Sequence, residues 1–150
     1  MSKQTGLTLV ELVTTMLIVG IIGLVAIPRL TSNSDFDNRR FYDEVRAALK
    51  YAQKRAIASR RNVCVAFTAN SVTLTTATAA GAGAACNPGL PGPDGVVPYT
   101  ITAKSNTSFA ATPAAFNFDA QGSPSSGTQV LQVKDLPLTI TVNQVTGYVQ

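Results

Sequence analysis

The sequence predicts an α+β fold: a long N-terminal helix, half transmembrane and half amphipathic, packed on an antiparallel β-sheet. Three observations predict it. Val13–Ile27 is apolar and carries no charge. Apolar residues then recur at helical spacing to about Ser59. Beyond Arg61 the period shortens to the alternation of half-buried strands, punctuated by turn residues.

With 150 residues the chain is long enough for one modest core. It has no His and no Trp. The commonest general base and the commonest metal ligand are therefore missing. Net charge is +4, but nine of the twelve basic residues fall between Arg29 and Arg61. Only Asp35, Asp37, Asp43 and Glu44 oppose them there, so the basic character belongs to one segment.

The first six residues are polar, with one cation at Lys3. A helix from Leu7 to Leu30 would run about 36 Å at roughly 1.5 Å per residue, enough to cross a bilayer core. A secretory signal peptide is one reading, but the apolar run is long and Ile27-Pro28-Arg29-Leu30 makes a poor small-residue cleavage site. A plain anchor is another, and it leaves Glu11 unexplained, because a lone carboxylate in lipid is costly. A cut after Gly6 accounts for Glu11: the new amine of Leu7 lies four residues earlier, one helical turn away. Lys3 on one side and Arg29, Arg39 and Arg40 on the other leave the orientation unsettled by charge. Gly20 and Gly23 fit either close helix packing or simple tolerance of glycine.

Gly6-Leu7-Thr8-Leu9-Val10-Glu11-Leu12 resembles the processing signature of type IV prepilins. The resemblance implies that a prepilin peptidase cuts between Gly6 and Leu7 and methylates the Leu7 amine. It implies that Glu11 meets the N-terminus of an adjacent subunit during assembly. Pro28 stands where family members often carry a helix-bending proline. Leu7 departs from the usual Phe. The implied partners are other pilins or pseudopilins, the peptidase, an inner-membrane assembly platform and membrane lipid. The implied location is the inner membrane, single-pass, with the globular domain periplasmic, and then a pilus or pseudopilus.

The division expected is a leader over 1–6, a transmembrane and assembly helix over 7–30, an amphipathic helix over 31–61 and a β-rich domain over 62–150. Thr31–Asp37 reads as turn-like, with Asp35 or Asp37 capping a helix over Asn38–Ser59. Its expected buried face is Phe41, Val45, Ala48, Leu49, Ala52, Ala56 and Ile57. Arg39–Asp43 and Arg40–Glu44 are spaced as ion pairs, and Arg46, Lys50 and Lys54 form a positive row. Leu49, Ala52, Gln53, Ala56, Ile57, Arg61 and Asn62 follow a pattern similar to the GspH/FimT group of minor pilins and pseudopilins. An MSHA-like adhesive pilus subunit would share it.

Strands are expected at Asn62–Thr68, Ser71–Thr78, Val96–Thr102, Ala115–Asp119, Thr128–Val133, Leu138–Val142 and Val145–Val149. Residues 79–95, rich in Ala, Gly and Pro, read as a long mobile loop. Cys64 and Cys86 are the only cysteines. An even count in an exported domain favours a disulfide, with free thiols or metal use as alternatives.

No enzyme is expected and no cofactor or metal. Asp94, Asp119 and Asp135 stand isolated in turn or strand-end contexts, and Ser and Thr have no His partner. Some FimT-like pilins bind DNA, and the row Arg46, Lys50, Lys54 could touch phosphates. The DNA-binding members are expected to end in an Arg-bearing tail. Here the matching residues are Gly147-Tyr148-Val149-Gln150, so nucleic acid is the lesser reading. The leading expectation is a structural subunit of a type II secretion pseudopilus or type IV pilus.

Overall fold

The computed structural model of the protein describes the backbone of residues 8–31, 34–81, 85–104 and 106–150, and their side chains except 23–31. The chain divides into two compact units, Met1–Asn33 and Ser34–Gln150.

The first unit contains helix α1 (Leu9–Thr31). Thr8 opens it. Its hydroxyl accepts from the Glu11 N–H at 3.2 Å, and its carbonyl accepts from the Leu12 N–H at 3.1 Å. Thr at the cap with Glu three residues on is a capping-box arrangement. Thr14 and Thr15 donate their hydroxyls to the Val10 and Leu12 carbonyls at 2.9 Å each. Both hydroxyls are thus satisfied within an otherwise apolar helix.

The second unit begins with helix α2 (Ser34–Ser59). Residues 32 and 33, between the two helices, lie outside the described residues, and the stretch expected to be turn-like over Thr31–Asp37 is helical at Thr31 and from Ser34 onward. Asp35 and Asp37 lie in the first turn of α2 rather than before it. They favour the helix there through its dipole. Asp37 also faces the Lys104 ammonium at 3.6 Å.

The buried stripe of α2 is Asn38, Phe41, Tyr42, Val45, Ala48, Leu49, Ala52 and Ala56. Ile57, expected on that stripe, is 48% exposed. One residue past Ala56 means a turn of about 100°, which carries it off the buried face. The helix stops at a Schellman arrangement: the Arg60 N–H donates to the Ile57 carbonyl and the Arg61 N–H to the Ala56 carbonyl, both at 3.3 Å. Arg60 occupies the left-handed position with φ 51°, where glycine is usual.

The sheet follows: β1 (Val63–Phe67), β2 (Ser71–Ala77), β3 (Cys86–Gly89), β4 (Tyr99–Thr102) and β5 (Phe116–Phe118). All pairings are antiparallel, in the order β3-β2-β1-β5, with β4 also on β2. β6 (Gln129–Gln132) and β7 (Thr139–Val142) form a separate two-stranded sheet. β1 and β2 pair from Val63 opposite Thr76 to Phe67 opposite Val72. That register sends Val63, Val65, Val72 and Leu74 into the core with α2. Phe41, Phe109, Phe67, Phe116 and Phe118 form a chain of rings with successive centroids 5.1–5.9 Å apart. Each large side chain fully buried this way contributes roughly 1.5–3 kcal/mol.

Two expectations for the β region are corrected. Residues 79–95 include β3, and Leu90 is buried. Backbone bonds fasten this stretch: the Leu90 N–H donates to the Leu74 carbonyl at 3.1 Å, and the Tyr99 N–H to the Leu90 carbonyl at 2.8 Å. The Tyr51 hydroxyl adds a 2.7 Å bond to the Pro91 carbonyl, and its ring meets Tyr99 edge-on at 5.6 Å. Burial, with Asp94 nearby, pushes the Tyr99 hydroxyl above the ordinary phenol value. The second correction is Val145–Val149, which is a turn. The Asn143 side chain accepts from the Val145 and Thr146 N–H groups at 2.9 and 3.1 Å, and only Val149 bridges back, to Val142. The Asx turn overrides the β preference of the two valines.

Cys64 on β1 and Cys86 on β3 are disulfide-bonded, with Cα atoms 6.1 Å apart. The two strands pair with opposite edges of β2, so the bond reaches across it. Replacing both cysteines with Ser should lower unfolding stability by on the order of 3 kcal/mol, read from denaturant midpoints. An unchanged midpoint would remove the bond from the stability account. Arg60→Gly should raise stability by about 1 kcal/mol, because the left-handed conformation costs an L-residue that much. A thermal melt with no gain would show that the Arg60 side chain offsets the cost.

Candidate assembly surface

The described side chains of α1 are exposed around its whole circumference up to Ile22. Leu9 and Val10 are 80% and 70% exposed, and Leu12, Val13, Met16, Leu17, Ile18 and Val19 are all open. A helix that is apolar all round has no water-facing side, and it is stable only when surrounded by lipid or by other protein. Among the described residues no helix is long and apolar enough to cross a membrane. The span expected over 7–30 therefore rests on the sequence.

Glu11 is the one charged side chain described in this helix, and it is exposed in the first turn. The dipole of α1 favours its negative charge there. Gly6 and Leu7, the expected processing pair, lie outside the described residues, as do Lys3 and the side chain of Pro28. Thr8 is the functional neighbour that sequence reasoning passed over. The spacing Thr8-x-x-Glu11 was the available signal.

The basic row on α2 is uneven. Lys54 is exposed, whereas Arg46 and Lys50 are half-buried. The Arg46 Nε is buried with no hydrogen-bond partner among the described residues. Of the two expected ion pairs, Arg40–Glu44 forms at 2.8 Å, and this bond raises the Arg40 guanidinium above its ordinary value. Arg39–Asp43 is not among the ion pairs of the described residues. The isolated carboxylates serve turns. Asp119 accepts from the Gln121 and Ser123 N–H groups at 2.9 and 2.8 Å, Asp94 accepts from the Val96 N–H at 3.2 Å, and Asp135 takes a left-handed φ of 58°.

α2 lies on an antiparallel sheet, and the C-terminal segment of the chain folds back onto α2. The family described as "Type II transport protein GspH" matches residues 42–146, nearly all of this arrangement. The chain belongs to the GspH family. Two solved structures share the fold, both crystal forms of the type IV minor pilin FimU from Pseudomonas aeruginosa strain PAO1. The P21 form matches with a TM-score of 0.54 at 12% identity, covering 79% of this chain and 90% of that one. The P65 form matches with 0.51 at 12% identity, covering 75% and 90%. No curated protein sequence matches the chain. The chain is thus a GspH-family member, a structural subunit rather than an enzyme, and it shares the fold of that type IV minor pilin.

Gln53 holds the far end of the GspH domain together. Its amide donates to the Thr146 carbonyl at 2.9 Å and to the Gly122 carbonyl at 3.3 Å. Gly147 beside it has φ 63°, and a Cβ there would collide with the Gly122 carbonyl oxygen and press on the Gln53 amide. Glycine is required at 147 for both reasons. Gly147→Ala should cost more than about 2 kcal/mol, combining left-handed strain with a backbone clash. A denaturant midpoint within error of the parent would disprove this lock. Gln53→Ala should cost less, about 1–2 kcal/mol, because two carbonyls lose one shared donor.

Proposed function

We propose that the chain is a minor pilin or pseudopilin that enters the inner membrane, is cut between Gly6 and Leu7, is methylated on the Leu7 amine, and is packed by α1 into a filament. The filament is a type IV pilus or a type II secretion pseudopilus. The observation that carries the reading is α1 itself: an exposed helix whose described side chains are apolar except for Thr14, Thr15 and a single carboxylate in a capped first turn. Its partners are then other pilins, a prepilin peptidase, the inner-membrane assembly platform and membrane lipid, with the GspH domain on the periplasmic side.

Glu11 explains why the helix assembles rather than merely anchors. In lipid a lone carboxylate costs several kcal/mol, and the cost falls when a cation neutralises it. A freed Leu7 amine, from the same or a neighbouring subunit, supplies that cation. Pro28 lacks an N–H and would bend the helix past the charge-free run. The half-buried Arg46 and Lys50 lend the nucleic-acid reading no support, and nothing favours an adhesive role over a purely structural one.

Co-expression with a prepilin peptidase should remove six residues and add one methyl group, seen by intact mass. Retention of the leader would refute the processing site. Glu11→Ala should leave cleavage intact and cut filament incorporation by about tenfold or more, as expected when one member of a desolvated charge pair is lost. Normal incorporation of the variant would end the role given to Glu11.

A further inference from the structure

The two ends of the GspH domain differ in charge. From Arg46 to Arg61 the sequence carries six cations and no carboxylate. Four of them, Lys54, Arg55, Arg60 and Arg61, are exposed at the C-terminal end of α2, and none joins an ion pair of the described residues. Asp119 lies on the turn whose Gly122 meets Ile57, but it is half-buried and its Oδ1 already accepts from the Gln121 and Ser123 N–H groups. Arg60 keeps a left-handed φ of 51°, which is costly for an arginine and not for a glycine. Backbone strain of this kind gathers at functional sites.

At the opposite end, where α2 begins, lies a polar cleft of about 820 Å³. Its walls are the start of α2, the β1–β2 turn, residues 106–108 and residues 134–135. Backbone bonds pin these walls, from the Phe109 N–H to the Ala69 carbonyl at 2.8 Å and from the Lys134 N–H to the Ser108 carbonyl at 2.9 Å. Asp35 and Asp135 are exposed in the cleft beside one cation, Lys134, and Asn70 and Asn106 add amide oxygens. Among the described residues, Asn106 and Asp135 are the two other non-glycine positions with positive φ, at 68° and 58°. α2 has 26 residues and is about 39 Å long at roughly 1.5 Å per residue, so its cationic end cannot reach the cleft of its own domain.

We infer that the cleft receives Arg60 and Arg61 of a second copy of this chain. A planar guanidinium donates in parallel to both oxygens of a carboxylate, and its remaining N–H groups suit amide oxygens. An anion would meet two carboxylates there. Among the described residues no cluster of carboxylates is large enough to hold a metal ion. Exposed ion pairs alone contribute little. Both ends add apolar surface, with Ile57 and Val145 open at the cationic one and Phe36 open beside the cleft. Unlike surfaces meet, so the contact does not close on itself and can repeat from copy to copy. All of these residues belong to the second unit, and the contact stands or falls apart from the membrane reading of α1.

The test measures self-association of the full chain by sedimentation velocity in density-matched detergent, with and without nuclease. The parent should associate with a dissociation constant of about 10–100 µM, the range of a small interface with a few charge contacts. Arg60→Glu/Arg61→Glu makes both ends acidic, and Asp35→Lys/Asp135→Asn makes both basic. Each variant alone should associate about tenfold or more weakly. Mixed in equal amounts they should return to within about threefold of the parent, because each end then finds its opposite. Lys134→Ser removes the one cation of the cleft and should tighten association about threefold. Thermal melts check folding. Where a reversal lowers the melt, the milder Arg61→Gln and Asp135→Asn replace it, each expected to weaken association about threefold; Asn tolerates the left-handed conformation at 135. A parent that stays monomeric at millimolar concentration overturns the contact. So does a mixture that associates no more tightly than its two components. Association left unchanged by every variant overturns it as well and assigns self-association to another surface. Association that nuclease abolishes overturns it in favour of nucleic acid at the cationic end.

Discussion

The seating of α2 against the sheet is the interaction from which the rest of the domain follows. Ala48, Ala52 and Ala56 are buried along the helix, and their small side chains let the backbone approach the strands closely. Val45 and Leu49 can then reach the valines and Leu74 of β1 and β2. The polar residues that face inward stand toward the ends of this contact, Asn38 holding Thr107 and Gln53 holding Thr146 and Gly122. The helix therefore supplies both the apolar bulk and the two clasps that order the distant loops.

α1 obeys the opposite rule. It has the same backbone geometry, but apart from Glu11, Thr14 and Thr15 and the glycine its described side chains are apolar and exposed all round. Its internal hydroxyls are turned back on its own carbonyls, and its one carboxylate is placed where the helix start can partly offset it. One chain thus carries two kinds of helix. One is seated on the sheet of its own domain, and the apolar side chains of the other are exposed.

Much of this was legible because periodicity is a strong signal. The α2 face from Phe41 to Ala56 and the strands β1, β2, β5, β6 and β7 follow from apolar spacing alone. β4 is shorter than its pattern because Val96 and Val97 precede a proline and stay exposed. β3 was illegible: Cys-Asn-Pro-Gly has no strand pattern, and it pairs because the chain is fastened on both sides of it. The turn at 143–147 was hidden by its valines, although Asn143 and Gly147 both signalled it. Of the assembly surface, Glu11 could be read from its charge in an apolar run. The cleft lined by Asp35, Asn38, Asn70, Thr107 and Lys134 could not, because those residues are far apart in sequence and meet only in the fold.

The disulfide has a topological consequence. With Cys64 and Cys86 joined, β2 and the stretch up to β3 lie inside a covalently closed ring. A single peptide bond cut between Thr78 and Ala85 opens that ring without dividing the protein into two pieces. The main sheet would still hold β1 against β2, and the sulfur bridge would still hold β3 in place. An epitope or a fluorophore-binding peptide spliced into this stretch is therefore carried by a connector whose two ends are already fixed. The ring is a ready attachment point for following the protein in living cells.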